Sequence, residues 1–169
     1  MIKQTSLQKQ RGFTLIEALV AFLILSVGML GIASLQTLSL KAGSTAMYRT
    51  AAIMNVDEII ENMRANQTAI ASYAAGTSYP GADNGCRQTT GNAAKVCTTD
   101  ELAKDDIFHW KSTLKNVLPS NAGTTASVTV VAPVAPEVLS TATITVNWNE
   151  RNVDNKAAVA MNYSVTLQI

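Results

Sequence analysis

Charge is missing from one part of this chain and thinly spread over the rest. Between Ala18 and Leu40 there is no Asp, Glu, Lys or Arg, a stretch longer than the roughly 20 apolar residues that carry a helix across a bilayer core. Histidine occurs once, at His109, and cysteine twice, at Cys86 and Cys97. A zinc site of the Cys/Cys/His kind has nothing beyond those three residues to draw on and would need further ligands, so no metal site is expected. No Ser/His/Asp, Cys/His or paired-carboxylate set stands out either; the chain is not expected to be an enzyme, and no cofactor is expected. His109, beside Trp110, reads as a surface or packing residue. No block of like charge exists beyond Lys3, Lys9 and Arg11, and no basic stretch is interleaved with aromatics, so nucleic acid is not an expected partner. Whether Lys95, Lys104, Lys111 and Lys115 meet in space is left open by the sequence. The first proline is Pro80, so nothing of that kind breaks the N-terminal helix.

What is present is a concentrated apolar run. Of 169 residues, 47% are hydrophobic, and the excess sits between Phe13 and Leu40. The remainder is rich in Thr, Asn, Ala and Ser, as in an exported domain. A cleavable secretory signal would have an apolar region of roughly 7–15 residues followed by a small-residue site, which fits poorly here. The run is read as a membrane span. Lys3, Lys9 and Arg11 on its near side leave the N-terminus in the cytoplasm and export the chain after Leu40, with Lys41 slightly blurring the asymmetry.

One carboxylate, Glu17, stands just inside this run. About fifteen Leu, Ile, Val and Phe residues at roughly −0.3 to −0.6 kcal/mol each outweigh one acidic group at about +3 kcal/mol or less, so the helix inserts with Glu17 in place. On position alone two readings stand side by side: Glu17 snorkels to the headgroups, or it meets a charge on another molecule. The surrounding pattern bears on the choice. A short polar, basic leader is followed by Gly12, then Phe13-Thr14-Leu15-Ile16-Glu17, then the apolar helix.

This pattern resembles the prepilin signature of type IV pilin-like proteins. The resemblance implies that a prepilin peptidase cuts between Gly12 and Phe13 and that the new Phe13 amine is methylated, which leaves its positive charge. It also implies that Glu17 of an incoming subunit pairs with the Phe13 amine of a neighbour. In low dielectric such a pair penalises any register that leaves either charge alone. The chain then divides into a leader at 1–12, a transmembrane and assembly helix at 13–40, and an exported domain at 41–169.

Beyond the span, Ile53, Val56, Ile60 and Met63 recur at helical spacing among polar residues. The first helix is therefore expected to run on into the exported domain. Unbroken from Phe13 to Asn66 it would reach roughly 80 Å at 1.5 Å per residue, with Gly43-Ser44 the expected place for a bend. Gly28 and Gly31 suit close helix packing or local melting, and equally the ordinary glycine content of membrane helices. Residues 76–99 read as a loop, in which Cys86 and Cys97 are expected to form a disulfide in an oxidising compartment. A second helix begins at Thr98, Thr99 or Asp100, carries Leu102, Ile107, Trp110, Leu114 and Val117, and stops before Pro119, with Asp105-Asp106 a point at which it would break. Alternation over 143–149 and 161–169 marks two strands and Ser127–Ala132 a third, joined by loops through 135–140 and 149–156. The fold class is α+β: a long N-terminal helix, membrane-embedded in its first half, packed on a C-terminal antiparallel sheet, as in type IV pilins.

SVGMLGIASLQ, the ENMRAN segment at Glu61–Asn66, the helix bearing Asp106, Trp110 and Leu114, and the strand with Trp148 are together similar to the minor pilin family PilV. That resemblance implies a low-copy subunit that primes pilus assembly and sits at or near the tip, with a part in adhesion also open. The absence of a kinking proline argues against an abundant shaft subunit. Implied partners are prepilin peptidase, other minor pilins, the major pilin, the inner-membrane assembly platform and, for an adhesive role, a tip adhesin. Implied locations are the bacterial inner membrane, with the C-terminal domain periplasmic, and the pilus tip or cell surface after assembly. A minor pseudopilin of a type II secretion system is the alternative.

Overall fold

The computed structural model describes residues 12–88, 93–119, 123–151 and 157–169. The leader expected at 1–12 falls outside them except for Gly12. The chain divides into two compact units, Met1–Ala42 and Gly43–Ile169.

Helix α1, Leu15–Ala65, runs through both. In the N-terminal unit its residues are almost all exposed, and the apolar window there is long enough to cross a membrane. Ser26, Ser34 and Thr37 turn their hydroxyls back on the backbone oxygens of Leu23, Gly31 and Ala33. A membrane helix has to satisfy its polar groups internally, and these bonds do so. Gly43 and Ser44, the expected bend, keep helical backbone.

In the second unit α1 buries Ala52, Asn55, Val56, Ile59, Ile60 and Met63. Ile53, expected on this face, is 41% exposed, and Ile59, fully buried, takes the central place. A short 3-10 helix, Gln67–Tyr73, follows α1; the sequence pattern did not announce it. Helix α2, Thr99–Val117, comes next, then strands β1, Thr125–Val131, β2, Thr141–Arg151, and β3, Ala158–Gln168. The strands form an antiparallel sheet in the order β1-β2-β3, with Val128 opposite Ile144 and Ile144 opposite Val165. Ala75, outside the strands, forms an isolated antiparallel bridge to Val128 of β1.

Alternation sends Ala142, Ile144, Val146 and Trp148 inward, where they join Val56, Ile59 and Met63 of α1 and Ile107, Trp110 and Leu114 of α2 in one core. The Trp110 indole N–H, buried with its ring, donates to the Asn55 carbonyl at 3.0 Å and ties α2 to α1. β3 contributes Met161, Tyr163, Val165 and Leu167 only partly buried, consistent with an edge strand. The β1–β2 connection runs through the expected 135–140 segment, whereas β2 continues to Arg151 rather than stopping at Asn149, and residues 152–156 of the expected last loop are outside the described residues.

α2 does not break at Asp105-Asp106. It runs through them because both carboxylates have partners brought in from other parts of the chain. Its start is Thr98, whose side chain accepts from the Glu101 N–H at 3.3 Å while the Glu101 carboxylate accepts from the Thr98 N–H at 2.9 Å. That reciprocal arrangement satisfies two donors that helix geometry leaves open.

Candidate functional site

Gly12, Phe13 and Thr14 are exposed and non-helical, immediately ahead of α1. Thr14 starts the helix. Its carbonyl accepts from Glu17 N at 3.1 Å and Ala18 N at 3.3 Å, and its hydroxyl oxygen lies 3.4 Å from Glu17 N. Thr-x-x-Glu is the spacing at which a first-turn cap forms, and it was present in the sequence. The cap puts Glu17 in the first turn, where a carboxylate is favoured by the helix dipole. Phe13 is 79% exposed and Ile16 67%, so the Gly12–Phe13 bond stands in an accessible non-helical segment next to a capped helix with an exposed acid.

The other expected pair is also brought together: Cys86 and Cys97 are bonded, with Cα atoms 5.7 Å apart. Both sulfurs are thereby removed as metal ligands, which closes the Cys/Cys/His alternative. Of the four lysines left open, Lys95 reaches Glu101 at 3.1 Å. Lys111 is 7% exposed, and its ammonium donates to the carbonyls of Gly76 and Tyr79. Burial, and secondarily the charge of Lys115, hold the Lys111 amine below its ordinary range.

The cysteine-bearing loop is docked on α2 by a set of contacts that sequence reasoning did not anticipate. Gly81, at φ +84, brings its backbone so close to α2 that an added Cβ would lie 2.5 Å from Phe108 N, and Ala82 N donates to the Lys104 carbonyl at 3.3 Å. Asn84 N and Cys86 N both donate to Asp105 Oδ1, at 2.8 and 3.4 Å, while the Asn84 side chain donates to the Glu101 carbonyl at 2.8 Å. Asp106 accepts from the Tyr73 hydroxyl and from Arg87, each at 2.8 Å. Burial first, and then the Asp106 carboxylate, push the Tyr73 phenol far above its usual range, so it stays a donor. The only signal for these roles was the Asp105-Asp106 pair itself, charged residues on an otherwise amphipathic helix. His109, one turn beyond Asp105, has its Nε2 3.5 Å from Asp105 Oδ2, and Asp83 completes a group whose donor atoms all lie within 4.8 Å of one another.

Comparison with protein families matches residues 7–33 to the prokaryotic N-terminal methylation motif and residues 34–108 to Type IV pilin Tt1218. No curated protein and no solved structure matches the chain. The first match covers Gly12, Phe13, Thr14 and Glu17. The second covers the later part of α1, the 3-10 helix, the disulfide loop and α2 as far as Phe108. The motif implies processing by a prepilin peptidase and assembly with other pilins, and with the apolar helix it fits a membrane-anchored pilin.

Proposed function

This chain is type IV pilin-like, and from that premise we propose that it is a minor pilin of the PilV kind. It has no catalytic role of its own. It primes pilus assembly at the inner membrane and ends at or near the tip, with the domain after Leu40 exported. The observation that carries the reading is the helix start: an accessible Gly12–Phe13 bond, the Thr14 cap, and Glu17 held in the first turn of an otherwise apolar exposed helix.

Cleavage at Gly12–Phe13 converts an amide into a cationic amine four residues from Glu17, and methylation keeps the charge. Within one chain the amine and a carboxylate four residues on can approach each other along the helix, which satisfies both only weakly. Between chains, pairing of Glu17 with a neighbour's Phe13 amine removes two unpaired charges from lipid at once. Subunits in any other register retain both penalties, so the pair sets the axial step. The low copy number rests on the PilV likeness, and the absence of proline before Pro80 supports it.

Mass spectrometry of sheared pili tests this directly. The expected species starts at Phe13, carries one N-methyl group and is present at a small fraction of the main subunit. Glu17→Ala is expected to reach the membrane fraction at the normal level and to be missing from sheared filaments; its incorporation at wild-type level would remove the register argument. If deletion of the chain stops protein secretion and leaves surface pili intact, the pseudopilin of a type II secretion system replaces the pilus reading.

A further inference from the structure

We propose that Asp83, Asp105 and His109 form a binding site for a divalent transition-metal cation, of which Zn2+ is the representative, and that the cation fastens the disulfide loop to α2. One donor atom from each side chain lies within 4.8 Å of the others. Two ligands held at about 2.1 Å around a tetrahedral ion are separated by about 3.4 Å, and His109 Nε2 and Asp105 Oδ2 are 3.5 Å apart. Asp105 and His109 occupy successive turns of one helix, the spacing at which two side chains project to the same face.

The second observation is independent of that spacing. Asp105 is completely buried. Its Oδ1 accepts from Asn84 N and Cys86 N, but among the described residues its Oδ2 has no hydrogen-bond partner. His109 Nε2 lies 3.5 Å from this oxygen without being a hydrogen-bond partner to it. A buried carboxylate oxygen left unpaired costs about 1–3 kcal/mol or more, and it faces an imidazole nitrogen and a second carboxylate. A cation at that point satisfies all three groups. The backbone bonds to Oδ1 already orient the Asp105 carboxylate, as the outer partners of metal ligands do.

The donor set selects the ion class. Calcium and magnesium take oxygen ligands, whereas an imidazole nitrogen with two carboxylates suits zinc and its neighbours. Three protein ligands leave a position for water. Asp83 lies between Gly81, in close contact with α2, and Cys86, so the ion joins this loop to the helix at a point separate from the disulfide.

The test uses the untagged full chain in detergent, freed of metal by a chelator, with Zn2+ added in competition with a chromophoric chelator and the thermal midpoint recorded alongside. His109 is the only histidine and both cysteines are in the disulfide, so no other imidazole or thiol competes. The expected result is one Zn2+ per chain, a midpoint that rises with Zn2+, and affinity reduced more than about tenfold in both Asp83→Asn and His109→Gln, since loss of even an outer partner costs 10–100-fold. These two side chains are exposed or half-buried, so both variants are expected to keep the wild-type near-ultraviolet circular dichroism. Absence of saturable binding, or binding that survives either substitution, overturns the proposal.

Discussion

Asp106 is 5% exposed and owes its place in the interior to two groups from elsewhere in the chain. Arg87 supplies charge and the Tyr73 hydroxyl supplies a neutral donor, each at 2.8 Å. The hydroxyl also lies 3.1 Å from the Asn62 carbonyl, but it has one proton, and the carboxylate is the stronger acceptor. Tyr73→Phe keeps the ring in the core and deletes that donor. The expected cost is about 1–3 kcal/mol, the range for a buried polar group that loses a partner. Urea unfolding of the full chain in detergent, followed through the buried Trp110 and Trp148, measures it; a wild-type midpoint would show that Arg87 alone satisfies Asp106. Removing core volume is expected to cost more: Ile59→Ala, at a completely buried position, is placed at about 2–5 kcal/mol by the same measurement.

At the scale of the element, α2 shows which features of this chain were legible in advance. Ile107, Trp110 and Leu114 lie on the buried face, and the stop before Pro119 was readable from proline geometry. Thr98 was among three candidate caps, and Glu101 three residues later identifies it as the one that forms the reciprocal pair. The continuity of α2 through Asp105-Asp106 was not legible, because it depends on Tyr73, Asn84 and Arg87, which only folding brings near. The 3-10 helix over Gln67–Tyr73 had no apolar period to announce it. Ile53 was misplaced because helical spacing defines a stripe only to within a residue, and the core is centred on Ile59. The strands were clear because period-two alternation survives even where β3 is only half buried.

The cap also carries a pH signature. The Thr98 N–H first, then the hydrogen bonds from Lys95 and from the Thr98 hydroxyl, hold the Glu101 carboxyl below its ordinary 4.5. A carboxylate whose folded value is depressed adds stability at pH above the unfolded value, and that contribution disappears as pH falls through the folded value. The chain is therefore expected to lose stability as pH drops below about 4.5, with Glu101→Gln flattening that part of the profile. Thr98→Ala is expected to cost about 0.5–2 kcal/mol at neutral pH. Urea midpoints across the pH range measure both, and a Glu101→Gln profile that keeps the wild-type slope would assign the acid sensitivity to another carboxylate.

For the whole molecule, the two units ask for opposite surroundings. All core residues from Ala52 onward belong to Gly43–Ile169, whereas in the other unit Phe13, Leu15, Phe22, Leu30 and Leu40 are each more than two-thirds exposed. Burial of apolar area is worth about 25 cal/mol per Å2, so the N-terminal segment is stable only in lipid or against other apolar helices, while the second unit draws its stability from contacts within itself. Its disulfide closes a short loop and adds about 3 kcal/mol by restricting the unfolded chain. A chain beginning at Gly43 is accordingly expected to be soluble without detergent and to unfold in one cooperative transition, as domains of this size do. Reduction of Cys86–Cys97 should lower its stability without removing that cooperativity, because the core residues are buried independently of the crosslink. Circular dichroism in the near and far ultraviolet, with and without reductant, makes the comparison. A broad melt with lost near-ultraviolet signal in the oxidised form would mean that the second unit depends on the segment before Gly43, and the separation of a lipid-dependent helix from a self-sufficient domain would fail.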